Sequence, residues 1–130
     1  DYFSQGKPAY VRIDYMNYKD VIELIGDNGG IPIIAHPGLN LRGKEKVIEK
    51  LLDQGGQGLE VFNNYHDERQ SDYFARVVEQ RHLFMTSGSD FHGKTKPLIR
   101  VGAYRRNERY IGYLQNCILK LKGKARDYEV

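Results

Sequence analysis

Apolar residues along the chain alternate between short bounded runs and stretches at helical spacing, a pattern that predicts helices packed on a sheet. Val21, Ile22, Leu24 and Ile25 form one side of a helix that Asn17 caps through Asp20 and Asn28-Gly29-Gly30 stops. Ile31 to Ala35 is β-branched and of strand length, with Pro32 tolerable near its start, and His36-Pro37-Gly38 ends it. Lys44 to Gln54 carries Val47, Ile48, Leu51 and Leu52 on one helical face and stops at Gly55-Gly56. A second strand is predicted over Leu59 to Phe62, then a helix capped by Asp67 with Tyr73, Phe74, Val77 and Val78 on its apolar side. Leu83 to Thr86 is a third strand and Val101 to Tyr104 a weaker fourth. The last helix, Glu108 to Lys122, presents Ile111, Leu114, Ile118 and Leu121, with Gly123 just past its end.

The order is one helix followed by three βα-like repeats, which predicts α/β architecture with parallel strands and crossover helices. In such folds functional groups collect at the C-terminal ends of strands. The rule singles out His36, the run Asn63-Asn64-Tyr65-His66, and Ser87 to His92. A closed (β/α) barrel takes about 250 residues, so 130 residues hold roughly half of one.

Composition changes this picture little. No run approaches the roughly 18 apolar residues of a membrane span. The single Cys117 lies in a helical apolar pattern and is expected to be a buried small hydrophobe in a reducing compartment, the cytoplasm. Net charge is +3, but residues 93 to 130 hold ten Lys/Arg against three Asp/Glu. Such a region attracts anions such as phosphoesters or nucleic acid, and a solvated helix face explains it equally well.

The chemistry concentrates in Gly88-Ser-Asp-Phe-His-Gly-Lys-Thr95, which fits two patterns. As letters it is a phosphate-cradling G-x-x-x-x-G-K-[ST] loop. That loop needs a helix starting at Lys94-Thr95, and Lys96-Pro97 followed by a β-branched stretch and Gly102 predicts none. Asp90 and His92, two apart in an extended segment, point the same way as candidate ligands for Zn²⁺, Mn²⁺ or Fe²⁺, and the strand-end rule brings His36 toward them. A Ser-His-Asp hydrolase is disfavoured because Ser87, Ser89, Asp90 and His92 are neighbours in sequence and no Gly-x-Ser-x-Gly elbow is present.

Ala35-His36-Pro37-Gly38, the strand Gly58 to Phe62 and Ser87-Gly-Ser-Asp-Phe-His-Gly93, in this order and spacing, resemble the C-terminal half of PHP-domain metal-dependent phosphoesterases. Gly6 to Val11 resembles the segment preceding the last barrel strands in the subgroup related to nucleoside 3′,5′-bisphosphate phosphatases. The resemblance reaches to about Gly102. It implies the C-terminal part of a distorted seven-stranded (β/α) barrel, with 1–18 as a leading segment, 19–107 as βα units bearing the site motifs, and 108–130 as a C-terminal helix and basic tail. It also implies His36, Asp90 and His92 as metal ligands, two or three divalent ions in the intact site, and a phosphorylated small molecule, nucleotide or oligonucleotide as substrate.

Further residues enter as expectations. His66 is a candidate acid or phosphate contact, with capping of the next helix as the plainer reading. Lys94, Lys96 and Arg100 are candidate phosphate contacts, with a solvated loop as theirs. The family also draws ligands from an N-terminal His-x-His strand, which this sequence lacks. The chain is therefore expected to carry part of a metal site and to be inactive alone. A non-catalytic binding or assembly module is the rival expectation, with a missing N-terminal half or a second copy covering exposed strand edges.

Overall fold

The computed structural model describes residues 2 to 126. The end of the expected basic tail, 127 to 130, lies outside the described residues. Three parallel strands, β1 (Ile33–Ile34), β2 (Gly58–Phe62) and β3 (Phe84–Ser87), form one sheet in the order β1-β2-β3. Helices α1 (Tyr18–Asp27), α2 (Pro37–Asn40), α3 (Val47–Asp53), α4 (Glu68–Gln80) and α5 (Ile111–Arg126) surround it. Strand, helix and parallel strand follow one another as the alternating pattern predicted.

The caps follow from side-chain chemistry. Asn17 accepts from the Asp20 backbone N–H to start α1. Asp67 and Gln70 form a reciprocal capping box on α4, satisfying two otherwise unpaired N–H groups. Leu59, Val61, Phe74, Ala75, Val78 and Met85 are sealed between sheet and helices, joined by Ile48 and Leu52 of α3. Leu59 and Val61 point into this core, so Glu60 between them faces the opposite side of β2.

Several expectations are corrected. β1 is only two residues long, because the His36 N–H leaves the ladder for a side-chain acceptor and His36 turns to φ 30°. The residues after it wind into the one-turn α2, which the Pro37 ring, fixed at helical φ, suits at a first helical position. No strand forms over Val101 to Tyr104; a turn with Gly102 at φ 71° replaces it. Leu24 of α1 is 52% exposed, leaving Val21, Ile22 and Ile25 half-buried at the periphery.

The last helix runs through Gly123 to Arg126 and is preceded by a 3₁₀ turn, Glu108–Tyr110. Its buried line is Tyr110, Leu114 and Cys117, with Ile118 turned 40% outward. Both lines have helical spacing. Packing chose the one that places the Cys117 Sγ 3.3 Å from the Met85 N–H and Tyr110 against Phe62. Cys117 is thus the buried apolar residue expected. No helix among the described residues is long and apolar enough to cross a membrane.

Candidate metal centre

All three strands release their chains toward one end of the sheet, and the exit of β2 organises the other two. The buried Asn63 accepts at Oδ1 from the backbone N–H of Tyr65 at 2.8 Å and of His66 at 3.1 Å. This turn, in which a side chain mimics backbone, reels both rings back over the strand end. Asn64 ties the same corner to the β3 exit by donating to the Ser89 carbonyl at 3.0 Å.

His66 is 3% exposed and fully engaged. Its Nδ1–H donates to the Val61 carbonyl at 2.8 Å, which fixes the tautomer and leaves Nε2 as acceptor for the Gly38 N–H at 2.9 Å and the Asn63 amide at 3.3 Å. A Cβ on Gly38 would lie 2.5 Å from the His66 ring, so the contact requires glycine there. Burial, the largest influence, pushes the His66 pKa below its ordinary value, against the Val61 carbonyl and Glu60. Both ring nitrogens are thereby hydrogen-bonded within the fold. The side chain instead binds the start of α2 to the end of β2, while Asp67 supplies the helix cap.

His36 leaves β1 in the left-handed region, a conformation that costs a non-glycine residue stability and is concentrated at functional sites. Its N–H donates to Glu60 Oε2 at 2.8 Å. Its ring meets the edge of Tyr65 at 5.9 Å and 81°. Its Nδ1 is buried without a hydrogen-bond partner, the one such side-chain atom among the described residues. Buried polar nitrogens are otherwise paired almost without exception, so this one is open to a water or ligand that reaches it.

Asp90, after β3, is also left-handed, at φ 55°. Its Oδ2 accepts from the Tyr65 hydroxyl and from Lys96 Nζ, and Lys96 in turn donates to the Tyr65 oxygen at 2.8 Å. Lys96 first and Tyr65 second hold the Asp90 carboxyl down to about 2, so it is an anion throughout the physiological range. His92 lies 3.4 Å from Asp90 Oδ1 through Nδ1, which donates to the Asp90 carbonyl at 2.8 Å. That leaves the Nε2 lone pair of a half-exposed imidazole uncommitted.

The structure therefore pairs Asp90 with His92 and sets His36 across Tyr65 from them. Among the described residues no three His, Cys, Asp or Glu side chains close up into a metal-holding group. Lys94 and Arg100 are exposed, whereas Lys96 folds back onto Asp90. Only a single 3₁₀ turn, Gly93–Thr95, forms at the end of the Gly88 to Thr95 stretch, so the helix a phosphate-cradling loop requires is absent. Sequence reasoning assigned no role to Tyr65 or Glu60. Tyr65 was within reach of the strand-end rule, but Glu60 gave no signal beyond being a carboxylate inside an apolar strand.

No family model matches the chain. It is 36% identical over 94 residues to a 3′,5′-nucleoside bisphosphate phosphatase of Chromobacterium violaceum, an overlap of 70% of this chain and 33% of that protein. It is 30% identical over 104 residues to the 5′-3′ exoribonuclease Rnm of Escherichia coli, covering 78% of this chain and 35% of the relative. A solved amidohydrolase from Chromobacterium violaceum, with bound sulfate and no metal, superposes with a TM-score of 0.60 at 29% identity, over 88% of this chain and 42% of that one. A Bifidobacterium adolescentis structure, solved as a candidate metal-dependent phosphoesterase, gives 0.65 at 23% identity over 88% and 41%. The chain spans about a third of the length of the curated relatives it matches. The parallel sheet, the strand-end motifs and these relatives together indicate the PHP-domain phosphoesterase family over about 70–78% of this chain.

Proposed function

We propose that His36, Asp90 and His92 form one rim of a divalent-metal site that hydrolyses phosphoesters of nucleotides or oligonucleotides. The observation that carries this reading is the buried, unpartnered Nδ1 of His36, set across Tyr65 from an anionic Asp90. Imidazole nitrogen and carboxylate oxygen suit Mn²⁺, Zn²⁺ or Fe²⁺. The names of the relatives, a bisphosphate phosphatase and exoribonucleases, support the substrate class. In the same reading β1 to β3 are consecutive strands of a larger (β/α) barrel, and the intact site holds two or three ions.

When bound, the metal supplies Lewis acidity and activation of water for attack on phosphorus. The chain's own residues have separate tasks. His36 and Asp90 are held in strained backbone by Glu60 and Tyr65, which fixes where their donor atoms lie. His66 keeps the β1 and β2 exits at a constant spacing through Gly38. Lys94 and Arg100, exposed on the segment following the rim, are available for phosphate oxygens.

Residues such as Val11, Ile13, Leu24 and Leu119 are exposed, and we include in the proposal that further chain or a second copy packs over them. A reducing, cytoplasmic setting belongs to it as well, Cys117 being a free thiol. The test is Mn²⁺-dependent hydrolysis of a generic phosphodiester, by this chain and by a longer form that supplies the remaining ligands. Turnover is expected in the longer form, with loss on chelation or in Asp90→Asn. Turnover indifferent to chelation or to Asp90 overturns the reading.

A further inference from the structure

The three cations after the rim differ in one respect. Lys94 and Arg100 are exposed, whereas Lys96 is the residue whose ammonium reaches a carboxylate. The Gly93–Thr95 turn, with Gly93 at φ 56°, reverses the chain so that Lys96 returns to Asp90 six positions earlier. There Nζ has three attachments. It is paired with Asp90 Oδ2, donates to the Tyr65 hydroxyl at 2.8 Å, and lies 5.3 Å from the Tyr65 ring centroid. The Lys96 side chain is 35% exposed and the Asp90 side chain 13%, so the lysine is the member of the pair with a path to solvent.

Of the two carboxylate oxygens, Oδ2 is occupied by Tyr65 and Lys96, whereas Oδ1 lies 3.4 Å from the His92 ring, whose Nδ1–H goes to the Asp90 carbonyl. An ammonium and a divalent cation repel each other, most strongly when both approach one oxygen that already accepts from a hydroxyl. Cation binding at Oδ2 is consequently an exchange and not an addition.

We propose that Lys96 is the exchangeable counter-ion of Asp90, seated on the ligating oxygen until a divalent cation displaces it. The inference rests on the metal-rim reading above. Its consequence is that Lys96 stabilises the carboxylate before metal arrives, weakens the apparent affinity for metal, and is free to meet other anions only after exchange.

Two measurements on the whole chain test it. In the first, lysine acylation is followed by mass spectrometry with and without saturating Mn²⁺, with exposed Lys94 as internal reference. Labelling of Lys96 is expected to rise several-fold relative to Lys94 when Mn²⁺ binds; unchanged labelling with bound metal overturns the proposal. In the second, Mn²⁺ is titrated calorimetrically into the wild type, Lys96→Gln and Asp90→Asn. Lys96→Gln is expected to bind about tenfold more tightly. Equal or weaker binding by Lys96→Gln, beside a weakened Asp90→Asn, refutes the counter-ion role alone. Asp90→Asn binding as well as wild type refutes the metal rim itself. The labelling arm needs no variant and stands even if Lys96→Gln fails to fold.

Discussion

Replacing His66 with alanine is expected to destabilise the fold by about 3–5 kcal/mol, measured by urea unfolding. Two buried groups, the Gly38 N–H and the Val61 carbonyl, lose their partners, and each such loss costs about 1–3 kcal/mol. The ring also packs 5.0 Å from Phe74, so its removal leaves a cavity in the wall of the core. A surface histidine would cost almost nothing, which makes the size of the effect diagnostic of the tie between α2 and β2. The pH dependence has a definite sign. Burial places the folded pKa of His66 below its ordinary 6.5, so the native state binds fewer protons than the unfolded chain. The contribution is complete above that ordinary value and is lost as pH falls through the folded pKa. The stability slope below pH 6.5 should therefore flatten in the alanine variant. A loss below about 1 kcal/mol with an unchanged slope contradicts the assignment.

Asp90→Asn is expected to lower Mn²⁺ affinity by roughly a hundredfold or more, read by calorimetric titration. Asparagine keeps the shape and one oxygen but removes the charge that attracts the cation, and it leaves the Lys96 ammonium facing the site. The same change should alter thermal stability little at neutral pH, because Lys96 is about a third exposed and solvent screens such pairs. Separation of the two readouts is the point of the substitution: a large metal effect on an intact fold marks a ligand, whereas parallel losses mark a structural residue. Acid shows the same pair from the other side. Asp90 is held to about 2, so its contribution to stability persists from its ordinary pKa upward and disappears as pH falls toward that value.

Local chemistry was readable in the sequence, and contacts between distant segments were not. Asn17 and Asp67 announced α1 and α4 because caps depend on three or four adjacent residues. Val77 and Val78 announced the buried face of α4 because tertiary packing used the side that periodicity offered. In α5 two lines had equal spacing, and only contact with Met85 and Phe62 chose between them. The strand expected at Val101 to Tyr104 had β-branching at one end only, and Gly102 entered a positive-φ turn instead.

At the site, the strand-end rule brought forward the exits that carry His36, Tyr65 and Asp90. It said nothing of how they engage. The orientation of His66 depends on Gly38, 28 residues away, and the fold-back of Lys96 depends on one 3₁₀ turn. Tyr65 escaped assignment because its role, touching His36 with its ring and Asp90 with its hydroxyl, exists only once three strand ends are side by side.

Whether His36 and Asp90 serve the same ion is tested most directly by a double-mutant cycle. Mn²⁺ affinity is measured for the wild type, His36→Ala, Asp90→Asn and the double variant under one set of conditions. If both residues ligate one ion, each single change removes most of the binding and the double variant is scarcely weaker than either, a strongly non-additive result. Affinity unchanged in both single variants, or losses that simply add in the double variant, would contradict it.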